Sequence, residues 1–321
     1  MNAYQYQRTT SDDVNDHAAS LSQWDQRDDQ VAAGRFDGQL EELWLGPLQV
    51  FRERTSRAVL QRGAPCPHTL TLAMPVGDGP NEAWFCGRRV AAGQAFGLVS
   101  HREFELATRG AFDIVAIGVR RSQLEAQARA AGLNLPAAWL HNAVLDSPAD
   151  AGDGLRQLLL AALDSARGAP ALLAPGAARD ALADALCTAL LGHLADARPQ
   201  AGAAESTAAT RQRVVREAQQ HMRAHADAPI SVPALCAAIH VSRRTLQYSF
   251  QDVLQMSPVA YLRAMRLNGV RRDLRRGGDE PVADRAARWG FWHLSRFAAD
   301  YRQMFGELPS ETLRLARGPV H

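Results

Sequence analysis

The sequence predicts an α+β chain in two parts: an N-terminal β-barrel or jelly-roll-like domain with accompanying helices, then an all-α domain with two helix-turn-helix motifs joined by a long helix. Three observations predict it. Short apolar runs between residues 39 and 119 are separated by Gly, Pro and charged turns. Residues 211–317 repeat a helix–turn–helix pattern with apolar residues at helical spacing. Between these regions, RPQAGAAESTAAT at 198–210 has the composition of a linker and no apolar period. The expected domains are therefore 1–197, a linker at 198–210, and 211–317 with motifs at 231–254 and 281–305. A chain of 321 residues, 46% of them hydrophobic, can fill two cores.

In the N-terminal part the strand candidates are QLEELWLGPLQVFRE (39–53), HTLTLAMPV (68–76), EAWFCGRRV (82–90), QAFGLVS (94–100), EFELAT (103–108) and DIVAIGV (113–119). Helices follow at Gly154–Arg167 and Ala177–Ala197. The second places Leu182, Ala185, Leu186, Ala189, Leu190 and Leu194 on one face, which serves either as core or as the seam of a homodimer. A sheet-rich domain of this kind can hold a small-molecule effector. Arg52, Glu53, Trp84, Phe85, Phe104 and Glu105 are the candidate ligand-binding residues: a carboxylate or aromatic face suits a protonated amine, and Arg52 or Arg88 suits a carboxylate. Ordinary strand surface and core is the competing reading of all of them.

A cupin-type metal enzyme fused to the helical domain is the distant alternative. Such a site needs two or three His and a carboxylate converging from neighbouring strands, and this region offers only His68 and His101. No phosphate-binding, dinucleotide or nucleophile-elbow motif occurs, so no catalytic residue is assigned and the chain is read as a non-enzyme. Cys66, Cys86, Cys187 and Cys236 are widely spaced, as reduced thiols are.

The helical part begins with Arg211–His225, where Val214, Val215, Ala218 and Met222 form a stripe expected to pack beneath the first motif. Ser231 caps Val232–Ile239, with Leu235, Ala238 and Ile239 as its apolar side and Cys236 as a small core residue. After the turn at His240-Val241, Ser242 caps a second helix whose Leu246, Phe250 and Val253 face inward. Arg243, Arg244, Gln247, Tyr248 and Gln251 are left outward, the residue types that grip guanine, adenine or phosphate in a major groove. Ser257-Pro258 starts the long helix, which runs to Arg276 before Gly277-Gly278. At 1.5 Å per residue it spans roughly 28 Å, close to the ~34 Å between successive major grooves. In the second motif Val282–Trp289 supports, Gly290-Phe291 turns, and Phe297, Tyr301 and Phe305 are buried. Trp292, His293, Ser295, Arg296 and Arg302 then face nucleic acid, while Ala298, Ala299 and Asp300 make a weaker reader.

Charge locates the same function. Residues 211–321 carry 18 Arg against 10 acids, a net +8, and residues 1–210 carry 18 Arg against 24 acids, a net −6. Every basic residue is Arg. No stretch approaches the ~20 apolar residues of a membrane span and the polar start is unlike a signal peptide, so a cytoplasmic protein without a membrane partner is expected.

VSRRTLQYSF (241–250), MSPVAYLRAMRLNGVRRDL (256–274) and GFWHLSRFAADYRQMFGELPS (290–310) resemble the AraC/XylS family of bacterial transcription regulators. Two positions depart from the family pattern: Arg285 stands where a buried aliphatic is usual, and Thr312 where Tyr is frequent. QRTTSDDVNDHA (7–18), FDGQLEELWLGPLQVFRE (36–53), EFELAT and IVAIGV (114–119) are most similar to the ethanolamine-operon regulator branch. The resemblance implies an activator that binds double-stranded promoter DNA, contacts RNA polymerase and answers ethanolamine with adenosylcobalamin, needing no cofactor for DNA binding itself. A same-family regulator of another metabolite or a quorum-type signal is the alternative.

Overall fold

The computed structural model describes residues 4–77, 82–91, 93–100, 102–133, 141–146, 149–199 and 205–317. The chain divides into two units. The first comprises Met1–Asp28, Asp37–Ser56 and Gln61–Gly202; the second comprises Asp29–Phe36, Arg57–Leu60 and Ala203–His321. The division at 202/203 falls inside the predicted linker, but two short pieces of the N-terminal region group with the helical unit, against the expected single cut.

Eight strands form one sheet: β1 (Tyr4–Ser11), β3 (Gly38–Leu45), β4 (Leu48–Thr55), β11 (Phe112–Arg120), β6 (Thr69–Pro75), β9 (Ala95–Val99), β12 (Ala143–Asp146) and β13 (Arg198–Pro199), in that order across it. Five form the other, in the order β2 (Asp25–Gln30), β5 (Val59–Ala64), β10 (Phe104–Thr108), β7 (Ala83–Phe85), β8 (Arg88–Val90). Both sheets are open, so the expected barrel is corrected to two stacked sheets. Alternation along the strands explains the stacking. Leu40, Phe51, Ala73, Phe96 and Ile114 of the large sheet meet Phe85, Phe104 and Leu106 of the small one. Their neighbours Leu43, Val50, Leu72, Val115 and Ile117 meet the helices. With both faces covered, strands such as TLTLAMP are buried at every residue, Thr69 and Thr71 included.

The covering helices are α2 (Arg121–Ala130), α3 (Ala149–Gly168) and α4 (Gly176–Asp196). Leu186, Leu190 and Leu194 of α4 pack with Leu155, Leu159 and Leu163 of α3, which assigns most of the ambiguous stripe to core; Ala185 is exposed. Beyond β2, β5, β12 and β13, three further elements of the sheet-rich part were not anticipated. One is β1, whose polar YQYQRTTS pairs along β3 from Tyr4↔Leu45 to Ser11↔Gly38. The others are α2 and α1 (Val14–Ser20), the latter capped by Asp13, which accepts from the backbone N–H of Asn15 and Asp16.

The linker expectation is corrected as well. Arg198–Pro199 pairs with β12, and α5 (Glu205–Ala224) already begins at 205, since Ala-rich STAAT favours helix; 200–204 lie outside the described residues. The second unit continues through α6 (Val232–Ala238), α7 (Arg243–Leu254), α8 (Pro258–Arg275), α9 (Val282–Arg288), α10 (Leu294–Phe305) and α11 (Pro309–Arg317). Val214, Val215, Ala218 and Met222 of α5 are buried, and α5 packs on α7 as expected. Leu267, Val270 and Leu274 of α8 join Ala286, Phe297, Tyr301, Phe305 and Leu313 in one core.

Two devices hold α8 inside this unit. The fully buried Asn268 side chain donates to the Gln30 carbonyl at 2.8 Å and accepts from the Gln30 backbone N–H at 3.0 Å, imitating a strand partner. One residue on, Gly269 leaves room for the Trp289 ring, which a Cβ there would meet at 2.5 Å.

Gly269→Ala tests this fit. Alanine favours helix over glycine by about 1 kcal/mol, yet overpacking against Trp289 should destabilise the unit by about 1–3 kcal/mol net. Urea denaturation should show a lowered midpoint. A raised midpoint would mean that the indole moves freely.

Candidate nucleic-acid interface

The two helix-turn-helix motifs align along the sequence with a single one-residue insertion. Their supporting helices α6 and α9 are both seven residues long and start from N-caps fifty residues apart, Ser231 and Pro281. The turns place His240 at φ 55° and Gly290 at φ 77°, the left-handed backbone each needs. Both second helices run twelve residues, but α7 starts at Arg243 and α10 at Leu294, fifty-one apart. The second turn therefore holds one extra residue, Trp292. Buried positions then coincide: Leu246 with Phe297, Phe250 with Tyr301, Leu254 with Phe305.

Every residue predicted to face nucleic acid is exposed. On α7 these are its cap Ser242 and Arg243, Arg244, Gln247, Tyr248 and Gln251; on the second motif Trp292, His293, Ser295, Arg296 and Arg302. Ser242 Oγ accepts from the Thr245 backbone N–H at 3.0 Å and closes the start of α7, whereas His293 makes no side-chain cap for α10. The Arg244 guanidinium lies over the Tyr248 ring at 5.2 Å, one helical turn on, which limits its rotamers before any DNA is met. Thr245 and Leu294, also exposed, escaped the sequence reading; aligning the two motifs on their buried positions would have exposed both.

Several Arg residues of this basic unit are internal. Arg271 is 5% exposed, pairs with Glu307 at 2.8 Å and lies over the Phe305 ring at 4.6 Å. Glu307 also accepts from Thr312 at 2.6 Å, and Thr312 bonds Tyr301 Oη at 2.9 Å. Burial pushes the Tyr301 hydroxyl up to about 12, so it stays protonated within this network. Arg285, 4% exposed, occupies the place of Leu235 in the first motif. Its guanidinium donates to the carbonyls of Glu280 at 3.1 Å and Gly277 at 2.6 Å, and to that of Asp273. The departure from an aliphatic thus satisfies carbonyls at the end of α8. The expected apolar side of α6 is narrower than foreseen: Leu235 is buried, Cys236 and Ile239 half-buried, Ala238 exposed.

The six candidate ligand residues of the first unit are not brought together, because strand alternation sends adjacent members to opposite faces. Arg52 makes a two-pronged pair with Asp113 at 2.9 and 2.8 Å. Glu53 is buried with His17 Nε2 at 3.0 Å and Gln61 Nε2 at 2.6 Å. Trp84 carries Arg109 over its ring at 5.4 Å, Phe85 stacks on Phe96 at 4.6 Å and Phe104 meets Trp24 edge-on at 5.9 Å. Glu105 is half-buried and Arg88 likewise. His68 lies in a turn at φ 62°, and His101 is outside the described residues. Among the described residues no group of three or more His, Cys, Asp or Glu is arranged to hold a metal ion, and no helix is long and apolar enough to cross a membrane.

Residues 235–315 match the helix-turn-helix domain family. The chain is 42% identical over 103 residues to the probable thc operon regulatory protein of Rhodococcus erythropolis, covering 32% of this chain and 31% of that one. It is 32% identical over 111 residues to the XylDLEGF operon transcriptional activator of Pseudomonas putida, covering 34% and 33%. The chain thus spans about a third of the length of these curated relatives. Among solved structures, it is 37% identical to a probable AraC family transcriptional regulator from Rhodopseudomonas palustris, covering 33% of this chain and 98% of that one at a TM-score of 0.31.

The geometry separates the roles of four Arg residues and one Gln. Arg244→Ala or Gln247→Ala should cost roughly 1–3 kcal/mol on a cognate duplex and relax its base preference, while Arg302→Ala should weaken all duplexes alike. Equal losses on cognate and random DNA would remove Arg244 from the base-reading set. Arg285→Leu and Arg271→Ala should instead lower stability by about 1–3 kcal/mol in urea, each stranding buried polar partners. An unchanged midpoint in either would show that its partners find water.

Proposed function

We propose that this chain, whose residues 235–315 match the helix-turn-helix domain family, is a transcription regulator of the AraC/XylS type, acting as an activator. It binds double-stranded promoter DNA through two adjacent major grooves and touches RNA polymerase. The observation that carries this reading is the sequence register of the two motifs, with polar and basic side chains exposed on both second helices. A helix-turn-helix presents its second helix to base edges in a major groove, and flanking Arg residues supply sequence-independent phosphate affinity.

The sheet-rich unit is the effector sensor. The effector pair taken from the resemblance of its N-terminal runs is ethanolamine with adenosylcobalamin. A protonated amine needs a carboxylate, and Glu53, buried beside His17 and Gln61, is the candidate for that contact; the resemblance of the N-terminal runs is what supports the choice of effector. The first unit also supplies any homodimer contact. Effector binding shifts the population of DNA-binding arrangements, so its influence on DNA affinity is reciprocal.

Fluorescence anisotropy on the promoter regions flanking its own gene, at fixed salt, tests both levels. Specific binding that tightens with ethanolamine plus adenosylcobalamin, and loses that response in Glu53→Gln, is expected. Specific binding indifferent to both compounds would retain the regulator and discard this effector pair. Affinity equal to that for random DNA would discard the regulator.

A further inference from the structure

Aligned on their buried positions, the two second helices differ in the chemistry they show. Arg243 of α7 corresponds to Leu294 of α10, Arg244 to Ser295, Gln247 to Ala298 and Tyr248 to Ala299. At these four positions hydrogen-bonding groups are replaced by apolar or short ones, while Arg296 and Arg302 stand opposite Thr245 and Gln251. The extra turn residue Trp292 is 67% exposed and Leu294 is 48% exposed, adjoining the start of α10. Asp300, the only carboxylate of α10, is paired with Arg263 of α8, while Arg296 and Arg302 remain exposed. Basic residues along an apolar tip fit a phosphate backbone around a groove.

We propose that the second motif reads DNA through apolar contact with the 5-methyl groups of thymine, made by Trp292 and Leu294, while the first reads purines through hydrogen bonds. In a major groove the thymine methyl is the base-edge group that apolar side chains recognise, whereas Arg and Gln suit guanine and adenine. Leu294 sits at the first helical position of α10, the end that a helix-turn-helix directs at the bases. The proposal rests on the DNA-binding reading and adds the kind of sequence each motif prefers.

The test begins with in vitro selection of a duplex from a random library by the full chain, followed by replacement of single thymines with uracil, which removes only the methyl group. In the half protected by α10, each contacted methyl should be worth about fourfold in affinity, the value of one buried carbon. In the half protected by α7 the change should be smaller, and Leu294→Ala should remove the methyl dependence at the thymine it contacts while leaving selection of the α7 half intact. Leu294 is exposed, so this variant folds; Trp292→Ala is the second check. Uracil duplexes bound as tightly as thymine duplexes would overturn the proposal. So would variants that lower transcription without lowering DNA affinity, because the apolar tip would then meet a protein. Selection that enriches no sequence would instead sink the regulator reading, and the proposal with it.

Discussion

The close approach of α8 and Trp289 is the constraint on which the second motif depends. Trp289 ends the supporting helix α9, its ring lies over Gly269, and its Nε1 donates to Asp273 of α8 at 2.7 Å. A side chain at 269 would push α9 away, and Arg285, reaching back to carbonyls at the end of α8, would lose its acceptors. Phe297, Tyr301 and Phe305 of α10 share the same core with Leu267, Val270 and Leu274. The position of α10 is therefore inherited from one face of α8, an 18-residue helix of roughly 27 Å. The first motif packs on the N-terminal part of the same helix, through Phe250 against Tyr261 at 5.7 Å.

The absence of lysine sharpens the use of arginine. A net +8 suggests a uniformly basic DNA surface. Arg271, Arg285 and Arg263 are nevertheless committed to Glu307, to backbone carbonyls and to Asp300. The planar, always-charged guanidinium can be buried against several acceptors at once, which a lysine ammonium does poorly. Charge counting thus located the right unit and overstated the number of groups free for phosphate.

Legibility in the sequence followed physical period and capping. The helices of the second unit were readable because Ser231, Ser242 and Ser257 cap them and because apolar residues recur at helical spacing. Their exposed polar sides followed from the same period. The stacked sheets were only partly readable: β1 is polar and takes its place by pairing with β3, which no local pattern announces. The segment 198–210 misled because Ala, Ser and Thr serve linker and helix alike, and neighbouring structure decides. The ligand candidates failed to converge because Arg52 and Glu53, adjacent in sequence, lie on opposite faces of one strand. Asn268 looked like an ordinary polar position in a helix; its hydrogen bonds to Gln30 come from 238 residues away.

The central claim is that one chain reads two grooves, with α8 setting the spacing. Hydroxyl-radical footprinting of the full chain on a selected duplex tests it most directly. The account predicts two protected windows about one helical turn apart on one face, with Arg244→Ala opening one window and leaving the other in place. A single window, or two that vanish together in that variant, would contradict it.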